Sequence, residues 1–154
     1  METITIKPHH FLDVIKLYGS GIEVFVPDEK MGHNFYQIAN QIIQNPYLQC
    51  QLTITGDDIC LPCRYYQHHQ CQDIMTHISN FSSKNQYNQL LDQRIMKLYQ
   101  LTHQSYQALE LCEIFYLHHE WIERIWLEED EQAVQKRHDF FVKGACLYIK
   151  KYKT

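Results

Sequence analysis

From Thr102 to Thr154 the chain contains no proline and a single glycine, Gly144. Helix breakers are the strongest punctuation a sequence carries, so fifty residues almost without them favour helices. Apolar residues there recur at helical spacing: Tyr106, Leu109, Cys112, Phe115 and Tyr116, then Trp121, Ile122, Ile125 and Trp126, then Phe140, Phe141, Cys146 and Ile149. The pattern predicts three or four helices. It reaches back to about residue 73, where Tyr87, Leu90, Leu91, Ile95 and Leu98 form one stripe.

The first half reads differently. Thr3-Ile4-Thr5-Ile6 alternates and is β-branched, which predicts a short strand. Pro8 suits the first position of a helix. Phe11, Val14, Ile15 and Tyr18 continue at helical spacing, with Gly19 or Gly21 as the stop. Ile22 to Val26 reads as an extended segment or a buried loop. Met31, Phe35, Ile38 and Ile42 mark a second helix, ended by Asn45-Pro46. Leu48 to Thr55 alternates again, a second strand, and Gly56-Asp57-Asp58 turns out of it. The expectation is an α+β fold with a small two-stranded sheet and helices in the N-terminal half, and a helical C-terminal half. Residues 1–80 would form the α/β part and 81–154 the helical part, packed together as one domain.

With 154 residues and 45% hydrophobic content, the chain can bury a core without disulfides and is too apolar to be disordered. A net charge of −4 argues against nucleic-acid binding by charge. The start METITIKPHH lacks the pattern of a signal peptide, and no apolar run approaches a membrane span. The expected location is therefore cytoplasmic, where the six cysteines would be thiols or metal ligands. Residues 1–77 carry 4 basic against 8 acidic residues and hold six of the ten histidines. Cys50, Cys60, Cys63 and Cys71 lie there too.

Cys60-x-x-Cys63 with Cys71 eight residues on is the clearest chemical signal. Such a turn brings two sulfurs to one ion, and a third thiolate can close on it. Thiolates suit zinc and iron–sulfur clusters. A fourth ligand would come from His68 or His69 nearby, or from His9 or His10 if the first strand lies near the second. The competing readings are a dithiol redox pair and three buried small hydrophobes. The gathering of Cys, His and Asp between Asp57 and Asp73 favours metal. Cys50, Cys112 and Cys146 sit on apolar stripes and read as core.

Pro8-His9-His10-x-x-Asp13 opens the first helix. His9 and Asp13 are spaced i, i+4, and His10 and Asp13 i, i+3, so either pair can meet on one face. A carboxylate beside an imidazole fixes its tautomer and raises its basicity. The assignments are Cys60, Cys63, Cys71 and His10 as metal ligands, and Asp13 or His9 as a proton carrier. Asp58 is assigned a place behind the ligands. A solvated helix start with two incidental histidines is the plain alternative for His9 and His10, and capping of the turn before Cys60 the alternative for Asp57 and Asp58.

Lys7-Pro8-His9-His10, the turn Gly19-Ser20-Gly21, and Asp57-Asp58-Ile59-Cys60 with Cys63 and Cys71 together resemble a small prokaryotic family. It is catalogued as domain of unknown function 1284. The resemblance covers roughly residues 3–100, with Asp92, Ile95 and Leu98 similar to a later, weaker block. It implies an iron–sulfur ligand and no particular reaction. Asp13 stands where the family has Cys, Lys7 where it has Arg, and Arg64 where it has Pro. With three matching cysteines, a [4Fe–4S] cluster would keep one iron open for Asp13, a histidine or a substrate. A zinc site of three Cys with His or Asp is the alternative.

Two other readings compete with a metal enzyme acting on an unknown small molecule. One is a structural zinc module whose helical half binds a protein partner. The other is a metal-free helical homodimer using its Trp and Tyr stripes. No membrane or nucleic-acid partner is expected. His118-His119-Glu120 reads as a partly buried or solvated pair, with a metal role as the alternative, Glu128 to Glu131 as a solvated turn or helix start, and Lys150, Lys151 and Lys153 as charges suited to a helix C-terminus.

Overall fold

The structure is a computed structural model and describes residues 3–27, 34–59, 66–67, 70–71 and 84–153. Its elements are β1 (Thr3–Ile6), α1 (Pro8–Gly19), α2 (Phe35–Gln44), β2 (Gln49–Leu52), β3 (Tyr66–Gln67), β4 (Gln70–Cys71), α3 (Lys84–Leu98), β5 (Ser105–Gln107), α4 (Ala108–Leu117) and α5 (Glu131–Tyr152). A 3-10 stretch, His119–Arg124, follows α4.

The fold is α+β, with a helical C-terminal half, but the main sheet has three strands and not two. Its order is β1-β2-β5, with β1 parallel and β5 antiparallel to β2. A parallel pair needs a crossover, and α1 and α2 supply it. Thr3 stands opposite Gln49 and Ile6 opposite Leu52, so the alternating residues Ile4, Ile6, Cys50 and Leu52 all face the core. The additional strand comes from the half read as wholly helical. Tyr106 is opposite Cys50 in β5 and is not part of a helical stripe. β3 and β4 form a separate antiparallel pair.

α1 lies centrally, with Phe11, Leu12, Val14 and Ile15 buried. It ends as Gly21 takes φ +109°. The Gly21 N–H then reaches the carbonyl of Tyr18 and the Ile22 N–H that of Leu17, which satisfies two carbonyls of the last turn. Gly21 is thus the stop. Gly19 has another role: α5 crosses α1 there, and a Cβ on Gly19 would collide with the backbone of Phe140 and Gly144. Of the segment Ile22–Val26, Phe25 is buried while Ile22, Val24 and Val26 are exposed. α5 starts at Asp130, whose carboxylate accepts from the Ala133 N–H at 3.2 Å. It also closes on α2. The Tyr148 hydroxyl donates to the Ile42 carbonyl at 2.6 Å and the Tyr152 hydroxyl to that of Ile43, two acceptors in the last turn of α2. Among the described residues no helix is long and apolar enough to cross a membrane.

Candidate functional site

The first turn of α1 has backbone N–H groups with no partner inside the helix. Lys7, at the N-cap, offers no side-chain cap. Carboxylates from distant parts of the chain take that place. Asp92 of α3 accepts the His9 N–H through Oδ1 at 2.9 Å. Asp57, in the turn after β2, accepts the Lys7 N–H through Oδ2 at 2.8 Å. Both are fully buried or nearly so, at 0% and 1% exposure, and the positive end of the helix dipole favours them.

The same oxygens orient two imidazoles. His9 Nδ1 lies 2.8 Å from Asp92 Oδ1, and His10 Nδ1 lies 2.7 Å from Asp57 Oδ2. The ring centroids of His9 and His10 are 4.2 Å apart. With Nδ1–H given to the carboxylate, each ring keeps its lone pair on Nε2, which bonds no described residue. Burial disfavours the protonated form of His9. The charge and hydrogen bond of Asp92, with a smaller contribution from Asp13, outweigh it and hold His9 above its ordinary pKa. Burial works against ionisation of Asp57 too, but His10 and the Lys7 N–H and charge hold its carboxyl well below the usual range.

Asp58 Oδ2 accepts the Thr5 N–H at 2.7 Å, and its own N–H donates to the Thr5 carbonyl at 3.0 Å. The Asp57-Asp58 turn is thereby fastened to the end of β1. Neither residue is merely a cap of its own turn. Asp13 meets neither imidazole by hydrogen bond. Its Oδ1 lies 2.5 Å from Arg137 Nη1 of α5 and 3.9 Å from Lys16 Nζ. Burial opposes its ionisation, and Arg137, then His9 and Lys16, overcome this and keep the carboxyl ionised below its ordinary range.

Asp92 has a second feature. Its Oδ2 is buried and has no hydrogen-bond partner among the described residues. A buried carboxylate oxygen left unpaired is costly, and it calls for a cation, a proton or an ordered water. The sequence does carry a trace of Asp92: Tyr87, Asn88, Leu91, Asp92 and Ile95 share the buried face of α3, so an acid stands on an apolar stripe.

Cys60 and Cys63 lie outside the described residues, as do His68 and His69. Cys71 ends β4 at the register position opposite Tyr66, and β4 lies against α3, the helix that carries Asp92. Asp57 is three residues before Cys60, so the chain between them spans at most about 11 Å. Among the described residues no group of three or more His, Cys, Asp or Glu side chains gathers round one ion position. Cys50 and Cys112 are buried core residues, as expected, whereas Cys146 is half-buried. No family model, curated protein or solved structure matches the chain.

Proposed function

We propose that this chain is a metal-binding protein in which Cys60, Cys63, Cys71 and His10 hold an iron–sulfur cluster or a zinc ion beside His9. One observation carries the reading. Two adjacent imidazoles are each fixed at Nδ1 by a buried carboxylate, with Nε2 unbonded among the described residues, and one of those carboxylates lies three residues before Cys60. Metal-binding histidines characteristically have such a carboxylate behind them. Asp92 Oδ2, without a partner among the described residues, fits the same reading, because a nearby cation would compensate it. The donor set of three thiolates and an imidazole suits a soft or borderline ion.

In this arrangement Asp57 and Asp92 orient the rings. His9, with its raised basicity, is the group able to take up or release a proton at Nε2. Asp58 keeps the turn against β1, and Asp13 stays ionised in its pair with Arg137. A bound zinc or open iron would supply a Lewis acid.

The test is metal and sulfide analysis with an absorption spectrum on the full chain purified without air, beside Cys60→Ser. Iron with sulfide and a visible chromophore, or one zinc per chain, with loss in Cys60→Ser, is the expected result. No metal in the anaerobic protein, or wild-type metal content in Cys60→Ser, overturns the proposal.

A further inference from the structure

A second imidazole pair lies on other elements, between the 3-10 stretch and α5. His119 Nδ1 is 2.9 Å from His138 Nε2, and the ring centroids are 5.0 Å apart. The two residues are 19 apart in sequence, so the pairing is tertiary. We infer that His119 and His138 form a separate binding site for a divalent transition cation of the zinc class, with water completing its coordination.

The separation of the two nitrogens suits a shared ion. Two nitrogens bound to one ion at about 2.0–2.1 Å, at an angle of about 90–109°, stand about 2.9–3.4 Å apart. The observed separation is at the lower edge of that range, so a few tenths of an ångström of side-chain movement admits the ion. His138 Nδ1 faces Asp139 Oδ1 at 3.4 Å, which favours the tautomer that carries a proton on Nδ1 and a lone pair on Nε2. Without an ion, His119 Nδ1–H donates to that lone pair; on binding, the ion takes the place of this proton, which His119 carries instead on Nε2, a nitrogen that bonds no described residue. The His138 side chain is 16% exposed, and His119 is half-buried, so water and ions reach the pair while its neighbours keep it in place. The Tyr116 ring, 5.7 Å from that of His119, forms part of the wall.

His118 does not belong to this site. Its ring stacks on Trp121 at 4.1 Å, and its Nδ1 faces Glu120. Cys146 is two helical turns further along α5 from His138, about 12 Å away, and donates instead to the Tyr116 hydroxyl at 3.0 Å. Imidazole donors without thiolate suit zinc, copper and nickel alike. An ion here would join the 3-10 stretch to α5 and stabilise the helical half independently of the cysteines.

Zinc chloride is the probe, because the test must separate this site from one at the cysteines. Equilibrium dialysis of the full chain is expected to show one exchangeable zinc that is lost in His119→Gln and in His138→Gln. The same zinc should persist in His118→Gln and in His10→Gln. Imidazole nitrogen NMR of the wild type supplies a readout that does not depend on variants folding: zinc should shift His119 Nδ1 and His138 Nε2. Equal zinc stoichiometry in His138→Gln and wild type, or unmoved nitrogen resonances, overturns the inference.

Discussion

Asp57 Oδ2 lies 2.7 Å from His10 Nδ1 and 2.8 Å from the Lys7 backbone nitrogen, so one buried oxygen joins the turn after β2 to the start of α1. Removing one partner of a buried charge-assisted pair is strongly destabilising, because the other is left uncompensated. Asp57→Ala is expected to lower unfolding free energy by about 3–5 kcal/mol. Asp57→Asn keeps an oxygen for the Lys7 N–H and should cost clearly less. Urea denaturation of the two variants measures this, and equal midpoints for Asp57→Ala and wild type would refute it.

The His9–Asp92 pair gives a pH dependence of definite sign. The folded pKa of His9 is raised, so its contribution to stability is complete below the unfolded value of about 6.5 and is lost as pH rises through the folded value. Asp57 acts oppositely: its folded pKa is lowered, so its contribution is complete above about 3.9 and is lost as pH falls below that. The stability difference between wild type and Asp92→Asn should therefore shrink as pH rises above about 6.5. An NMR titration should place the His9 midpoint above its ordinary value. A midpoint at or below that value would sink the assignment.

These pairs show which part of the site local spacing can reveal. The i, i+3 and i, i+4 rules mark Asp13 as the partner of His9 or His10, because they see one helix face only. The fold instead supplies Asp92 from 83 residues away and Asp57 from 47, and it gives Asp13 to Arg137, 124 residues on. The strands β1 and β2 are legible from their alternating β-branched and apolar residues. β5 is not, because Ser105-Tyr106-Gln107 is too short to show a period and becomes a strand through its pairing with β2. The long helix α5 is legible from its lack of breakers, whereas the function of its single glycine appears only when α1 is laid across it.

That crossing is testable at Gly144. A Cβ there would collide with the Ile15 carbonyl oxygen and the Gly19 nitrogen, both backbone atoms. Gly→Ala within a helix ordinarily gains up to about 1 kcal/mol. Here overpacking reverses the sign, and Gly144→Ala is expected to destabilise by about 2 kcal/mol or more. Gly21 offers the contrast. Nothing lies within 4 Å of its Cβ position, so Gly21→Ala meets only the strain of φ +109°, about 1–2 kcal/mol. Thermal unfolding of the two variants, read beside Gly144→Ser, separates collision from backbone strain. Wild-type stability in Gly144→Ala would mean that the helices do not approach this closely.

The cysteines divide by environment, and alkylation reads the division directly. Burial pushes the Cys50 thiol up to about 12, so the reactive thiolate is scarce at pH 8. Burial, reinforced by Glu113 and Cys146, raises Cys112 further. Both side chains are 0% exposed, so reagent access and thiolate supply fail together. Cys146 is half-buried and bonded to the Tyr116 hydroxyl, within reach of solvent. Iodoacetamide on the native chain, mapped by mass spectrometry, should label Cys146 well before Cys50 and Cys112, which wait for unfolding. Cys60, Cys63 and Cys71 extend the same experiment to the proposed metal site. As metal ligands they should resist alkylation in the loaded protein and react together once a chelator is added, while Cys146 reacts at the same rate in both. Labelling of the three at equal rates with and without chelator would remove the metal from them.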